Sequence, residues 1–264
     1  MSDDHAKLLP PRRMIAVLGA AAMAGLLAAA LATRPDGRLH VTVLDTGGGT
    51  AIVLRTPGGA TALVGGGSDP QKLTTALGRT LSPLQRNIDV VVIPGSGRTV
   101  SAGVAGLAGR YGAGSIVVTA PKVTPALGVL VTQIGEGASA TRVTTGALDL
   151  VDARWFPLIP SSGAGSALLV VTGAVRILLA ADLSVPDQEE IAAIAPVSLH
   201  ADLLITPATG TAPSLVAAVQ PRQIAVTTAV RSRDRTAWPG ATVRRTGSDG
   251  DLAYRSTDAG LEPG

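Results

Sequence analysis

Residues His40–Gly67 read HVTVLDTGGGTAIVLRTPGGATALVGGG. Aliphatic and polar residues alternate over His40–Leu44, three glycines follow Asp45 and Thr46, and a second apolar run covers Ala51–Arg55. Thr56-Pro57-Gly58-Gly59 then marks a hairpin, Thr61–Val64 forms a third run, and Gly65-Gly66-Gly67 ends it. Short apolar runs bounded by glycine turns predict three strands on tight connections. Working outward, β-branched runs bounded by Gly, Pro or Asp predict strands at Val90–Ile93, Ser115–Thr119, Ala167–Val171, Val175–Leu179, Leu203–Ile205 and Ile224–Thr227. Helices are expected over Asp69–Leu81, Ala102–Tyr111, Pro186–Ile194 and Ala212–Val219. Early hairpins followed by strand–helix alternation give an α/β fold of two sheets between helices.

The 264 residues suffice for one sizeable domain, and a hydrophobic share of 46% makes it globular. Only 2% of residues are aromatic, so the core is expected to be aliphatic, with Trp155 and Phe156 as local core. The absence of cysteine excludes disulfides and thiolate metal sites. The formal charge is +3, but the first 38 residues contribute two of those charges, and the remainder is near neutral at +1. The basic balance therefore gives no broad nucleic-acid-binding field.

Met14–Ala32 is a run of 19 uncharged residues, nine of them Ala. At about 1.5 Å per residue it matches a bilayer core of about 30 Å. Lys7, Arg12 and Arg13 precede it, while Arg34 and Arg38 follow, a slight bias toward an inside N-terminus. The expected organisation is a cytoplasmic tail over 1–13, a transmembrane helix over 14–32, a linker over 33–39, a domain over 40–256 outside the cytoplasm, and a flexible tail over 257–264. A cleaved signal peptide is the alternative, because Ala30-Leu31-Ala32 fits an A-x-A site, although the run exceeds the roughly 7–15 residues of a signal h-region. Gly19, Ala22 and Gly25 would let such a helix pack closely against membrane neighbours.

The stretch from His40 to Gly67 resembles the opening of the metallo-β-lactamase-like domain of the ComEC family of competence proteins, which reads roughly LDVGQGDA, a hairpin and LIDGG. The resemblance implies a four-layer αββα sandwich. Asp45 matches the first Asp, while Thr50 and Gly65 stand at the two others. The family's T-H-x-D-x-D-H signature aligns with Pro94–Val100, putting Gly95, Gly97, Thr99 and Val100 at ligand positions. Ile177–Asp182 resembles LLLTGD and retains Asp182 at the bridging-ligand position. Ala201–Thr211 resembles ADLLKVPHHGS, with Ala208 and Thr209 in place of both histidines. The resemblance covers residues 39–255 and implies that most ligands of the family's metal site are missing.

The three histidines, His5, His40 and His200, share no metal-ligand spacing either. Metal catalysis is thus not expected, and neither is a cofactor. Ser96, Thr99, Ser101 and Thr209 offer hydroxyl nucleophiles without a His placed to activate them. The expected remnant of the pocket comprises Asp45, Arg98, Thr99 and Asp182. Arg98 would lie above it, either solvated, paired with Asp45 or Asp182, or holding an anion. Gly47–Gly49 and Gly65–Gly67 are read first as turns of the fold and second as anion-binding nests. Arg231, Arg233, Arg235, Arg244 and Arg245, with Trp238 among them, suggest either a charged edge or a single-stranded nucleic-acid contact.

These residues lead to the expectation of a membrane-anchored chain that is not an enzyme and serves as a structural or interaction subunit beside other membrane proteins. A DNA- or anion-binding module related to DNA uptake is the second reading, with nucleic acid possible but not favoured as partner. A metal-dependent hydrolase or nuclease with an atypical site is the third.

Overall fold

Val41 and Val43 are buried while His40 and Thr42 are half-buried, so the alternation read in the opening stretch becomes strand β1, His40–Val43. The computed structural model describes residues 35–135, 138–163, 165–180, 182–194, 199–227 and 238–264, with the helical positions 19 and 23. The hairpin strands are β2, Ala51–Arg55, and β3, Thr61–Gly65. Helix α1, Pro70–Thr80, follows. Its N-cap Asp69 accepts hydrogen bonds from the N–H groups of Gln71 and Lys72, and Pro70 opens the first turn. Strand β4, Asn87–Ile93, leads to the short helix α2, Arg98–Ser101, and a 3₁₀ turn over Ala102–Leu107.

The continuous helix expected over Ala102–Tyr111 does not form. A β-carbon on Gly103 would collide with the Gly66 carbonyl oxygen and one on Gly106 with that of Pro70, so these glycines mark close backbone approach. Strand β5, Gly112–Val118, helix α3, Pro125–Ile134, and strand β6, Ser139–Arg142, complete the first half. The second contains β7, Leu148–Leu150, β8, Ala153–Leu158, β9, Ala167–Thr172, and β10, Val175–Leu179. Helix α4, Val185–Ile194, strand β11, Leu203–Pro207, helix α5, Pro213–Val219, and strand β12, Gln223–Thr227, alternate after it. Strand β13, Thr242–Arg245, helix α6, Thr246–Asp249, and the hairpin of β14, Leu252–Thr257, and β15, Gly260–Pro263, end the chain.

The described strands form two mixed sheets, ordered β15-β14-β1-β2-β3-β4-β5-β6 and β13-β12-β11-β10-β9-β8-β7. Each is antiparallel on one side and parallel on the other: β3 to β6 run parallel in the first, and β10 to β13 in the second. Three apolar clusters separate four layers. Val41, Ile52, Val92, Trp155, Val170, Ile177 and Tyr254 pack between the sheets. Leu63, Leu73, Leu77, Val104 and Leu127 join the first sheet to α1, the 3₁₀ turn and α3. Leu178, Ile191, Leu204 and Leu215 join the second sheet to α4 and α5. The result is an αββα sandwich.

Two boundaries move. The folded unit begins at Gly37 rather than His40: Leu39 is buried, and its N–H donates to Ser256 Oγ at 2.8 Å. The tail expected over 257–264 contains β15, which pairs with β14 and buries Leu261 in the cluster between the sheets. Among the described residues no helix is long and apolar enough to cross a membrane. The run 14–32 lies outside the described residues apart from Gly19 and Met23, and Ala22 and Gly25 lie outside them too.

Candidate functional site

Parallel strands end together, and their C-terminal ends place loops from several elements around one crevice. The loops after β1, β4 and β10, together with the ends of β11 and β12, line a cleft of about 620 Å³. Its wall includes Gly48 and Gly49, Thr99, Asp182 to Val185, Pro207 to Thr209, and Thr227. The glycine loops are stitched to the α2 segment: Thr50 N donates to Thr99 O at 3.0 Å, Gly66 N to Val100 O at 2.7 Å, and Gly103 N to Gly67 O at 2.9 Å. Gly49 has φ +80°, and a β-carbon there would collide with the Thr99 carbonyl. Both features fit the reading of these glycines as turns of the fold.

Asp182 supplies the acidic side chain of this wall. Its Oδ1 accepts from Thr99 Oγ1 at 3.4 Å. Its Oδ2 lies where a β-carbon on Gly95 would fall and 3.1 Å from where one on Gly165 would stand. Gly95 and Gly165 form an isolated antiparallel bridge, so the carboxyl is slotted against two backbones that lack side chains. Burial pushes the Asp182 carboxyl up from 3.8 to about 7, against the Thr99 hydrogen bond, which pulls it down. Beside it, Ser184 Oγ donates to Asp187 Oδ2 at 2.6 Å at the start of α4.

The structure thus brings Thr99 and Asp182 together and places the other two expected pocket residues elsewhere. Asp45 does not line the cleft; its Oδ1 accepts from Gly47 N at 3.0 Å and shapes its own turn, while its N–H donates to Asp251 Oδ1. Arg98 is exposed at the start of α2 and pairs with neither carboxylate among the described residues. Arg244 lies 5.7 Å from the Tyr254 ring centre, and the Arg245 N–H donates to Asp249 Oδ2 at 2.9 Å. Arg231, Arg233 and Arg235 lie outside the described residues. Sequence reasoning missed Ser184 and Thr227 as cleft residues and Gly165 as a backbone against which Asp182 rests. Only Ser184 carried a signal, as the residue that opens α4.

Residues for a metal centre of the kind the resemblance implies are not gathered. Gly95, Gly97, Val100 and Ala208 offer no donor side chain, and Thr99 and Thr209 offer one neutral hydroxyl each. Among the described residues no group of three or more His, Cys, Asp or Glu side chains is placed to hold a metal ion. A histidine at position 95 would also displace the Asp182 carboxyl. The described residues do not fit a metal pair.

Comparison of the fold with solved structures is decisive. The metallo-β-lactamase fold protein YhfI from Bacillus subtilis superposes with a TM-score of 0.59 at 13% identity, over 83% of this chain and 99% of that one. The fold is metallo-β-lactamase-like. A diphosphatase from the PhnP family is similar with a TM-score of 0.51 at 12% identity, over 83% of this chain and 98% of that one. Zinc-bound PqqB from Methylobacterium extorquens is similar with a TM-score of 0.50 at 12% identity, over 77% of this chain and 85% of that one. No protein-family model matches the sequence, and no curated protein matches it. The expectation that the chain is not an enzyme is corrected here. It rested on absent metal ligands, which bears on one mechanism only, and a protein of similar fold is a diphosphatase.

Proposed function

We propose that the chain is a hydrolase with an atypical site, in which the Asp182 carboxyl carries the acid–base chemistry at the cleft. One observation carries this reading: a half-buried carboxyl, slotted between Gly95 and Gly165 and hydrogen-bonded to Thr99, opens onto a cleft at the strand ends. A carboxyl poised near 7 is divided between acid and base at neutral pH, which is where a general base for water and a general acid for the leaving group is most effective. In this scheme Asp182 takes a proton from an attacking water and returns it to the leaving oxygen, so the carboxyl ends as it began. Thr99 orients Oδ1. Tethering of this domain to a bilayer by residues 14–32, beside other membrane proteins, belongs to the same proposal and is supported by the apolar run and its basic flank.

The test is a panel of p-nitrophenyl phosphoesters and carboxylic esters assayed from pH 5 to 9 in excess EDTA. Turnover is expected to persist in the chelator, to change with pH near 7, and to fall about a hundredfold or more in Asp182→Asn. Turnover that requires a metal, or that Asp182→Asn retains, overturns the reading, as does the absence of turnover across both substrate classes.

A further inference from the structure

Gln188 lies on α4, is fully buried, and is uncharged among acidic neighbours in the run Asp187-Gln188-Glu189-Glu190. Its amide uses three hydrogen bonds. Nε2 donates to Leu183 O at 3.0 Å and to Gly210 O at 3.1 Å, and Oε1 accepts from Ala212 N at 2.9 Å. Leu183 directly follows Asp182 and lines the cleft, while Gly210 and Ala212 belong to the loop that leaves β11 just past the lining residues Ala208 and Thr209. One side chain therefore ties the loop that carries the acidic group to the loop that forms the facing wall.

We infer that Gln188 is a positioning residue that fixes the spacing between these two cleft loops, an inference that rests on the acid–base reading of Asp182 only for its catalytic consequence. The chemistry explains the residue type. Two carbonyl oxygens and one N–H converge on the site, so the side chain must present two donors and one acceptor in a plane, which an amide does. A carboxylate there would face two carbonyl oxygens, and an apolar side chain would leave three buried backbone groups without partners. Main-chain groups of different loops that share one buried amide move together, so loss of that amide frees both loops without touching the sheets.

The test compares the full chain with Gln188→Leu and Gln188→Glu by native-state amide hydrogen exchange. In Gln188→Leu, exchange is expected to rise about tenfold or more in residues 182–185 and 208–212, with the amides of β4 and β5 unchanged. Gln188→Glu keeps the acceptor for Ala212 and should keep that amide protected while the Leu183 and Gly210 segments loosen. Where turnover is measured, Gln188→Leu should lower kcat by about tenfold to a hundredfold and leave KM within a few-fold, because the acid–base group is misplaced rather than removed. An equal rise in exchange throughout the chain, or none in the two loops, overturns the inference. Failure of the hydrolase reading alone appears as absent turnover with the exchange pattern intact.

Discussion

Asp182 is held at a cost to folding that pH reveals. Its carboxyl is raised from 3.8 to about 7 in the folded chain, so between those values the folded state binds more protons than the unfolded one. Stability from this group is therefore fully present below about 4 and is lost as pH rises through 7. The size of the loss is on the order of a few kcal/mol. Other carboxylates act in the opposite sense: Asp249, held low by the Arg245 N–H, contributes stability that is lost as pH falls. The difference between the wild type and Asp182→Asn isolates the one group. The variant is expected to melt about 5 °C or more above the wild type at pH 8 and level with it at pH 4. Parallel melting curves across that range would mean that burial does not shift Asp182. A residue that weakens the fold where it is ionised, and sits on a cleft, fits the trade between stability and function better than a role in packing does.

At the level of elements, the cleft depends on glycine-rich loops laid against one another's backbones. Gly49→Ala meets both a positive φ and the Thr99 carbonyl, and is expected to lower stability by about 2 kcal/mol or more in denaturant unfolding. Gly78→Ala on α1, where nothing lies within 4 Å of the added carbon, is expected to raise it by about 0.5–1 kcal/mol. Similar outcomes for the two would show that the loop is not packed this way. The same contrast explains what the sequence disclosed. Strands β1 to β3 and β9 to β12 were legible because apolar residues bounded by turns mark them. Strand β6, Ser-Ala-Thr-Arg, is exposed at every position on a sheet edge and leaves no apolar trace. Strand β8 carries Pro157, which argues against a strand, and helix α3 contains Gly128, which argues against a helix. Asp182 was legible through the motif around it. Its burial and its glycine slot were not, because they arise where the loop after β4 meets the approach to β9.

At the scale of the whole molecule, what remains is where the domain works. The folded part carries almost no net charge, and of the described members of the arginine cluster Arg244 is engaged, its guanidinium beside the Tyr254 ring and donating to Ala253 O. If DNA binds, replacing Arg231, Arg233, Arg235, Arg244 and Arg245 by Ala should abolish binding and its salt dependence; the expected outcome is that no binding is measured at physiological salt. The membrane is the stronger expectation. Nine of the 19 residues in Met14–Ala32 are Ala, so Leu18, Leu26, Leu27 and Leu31 provide most of the insertion energy. The full chain should sediment with membranes and resist alkaline carbonate. Replacing Leu18 and Leu26 by Arg adds a penalty of about 2.5–3.5 kcal/mol for each arginine near the centre of the span, and should release the chain. Replacing Gly19, Ala22 and Gly25 by Leu should do the reverse, leaving insertion intact while weakening co-purification with neighbouring membrane proteins. N-terminal sequencing that begins at Thr33 would show that the run is removed as a signal. In that case the hydrolase reading stands, because every residue of the cleft lies beyond residue 47, and only the tether falls.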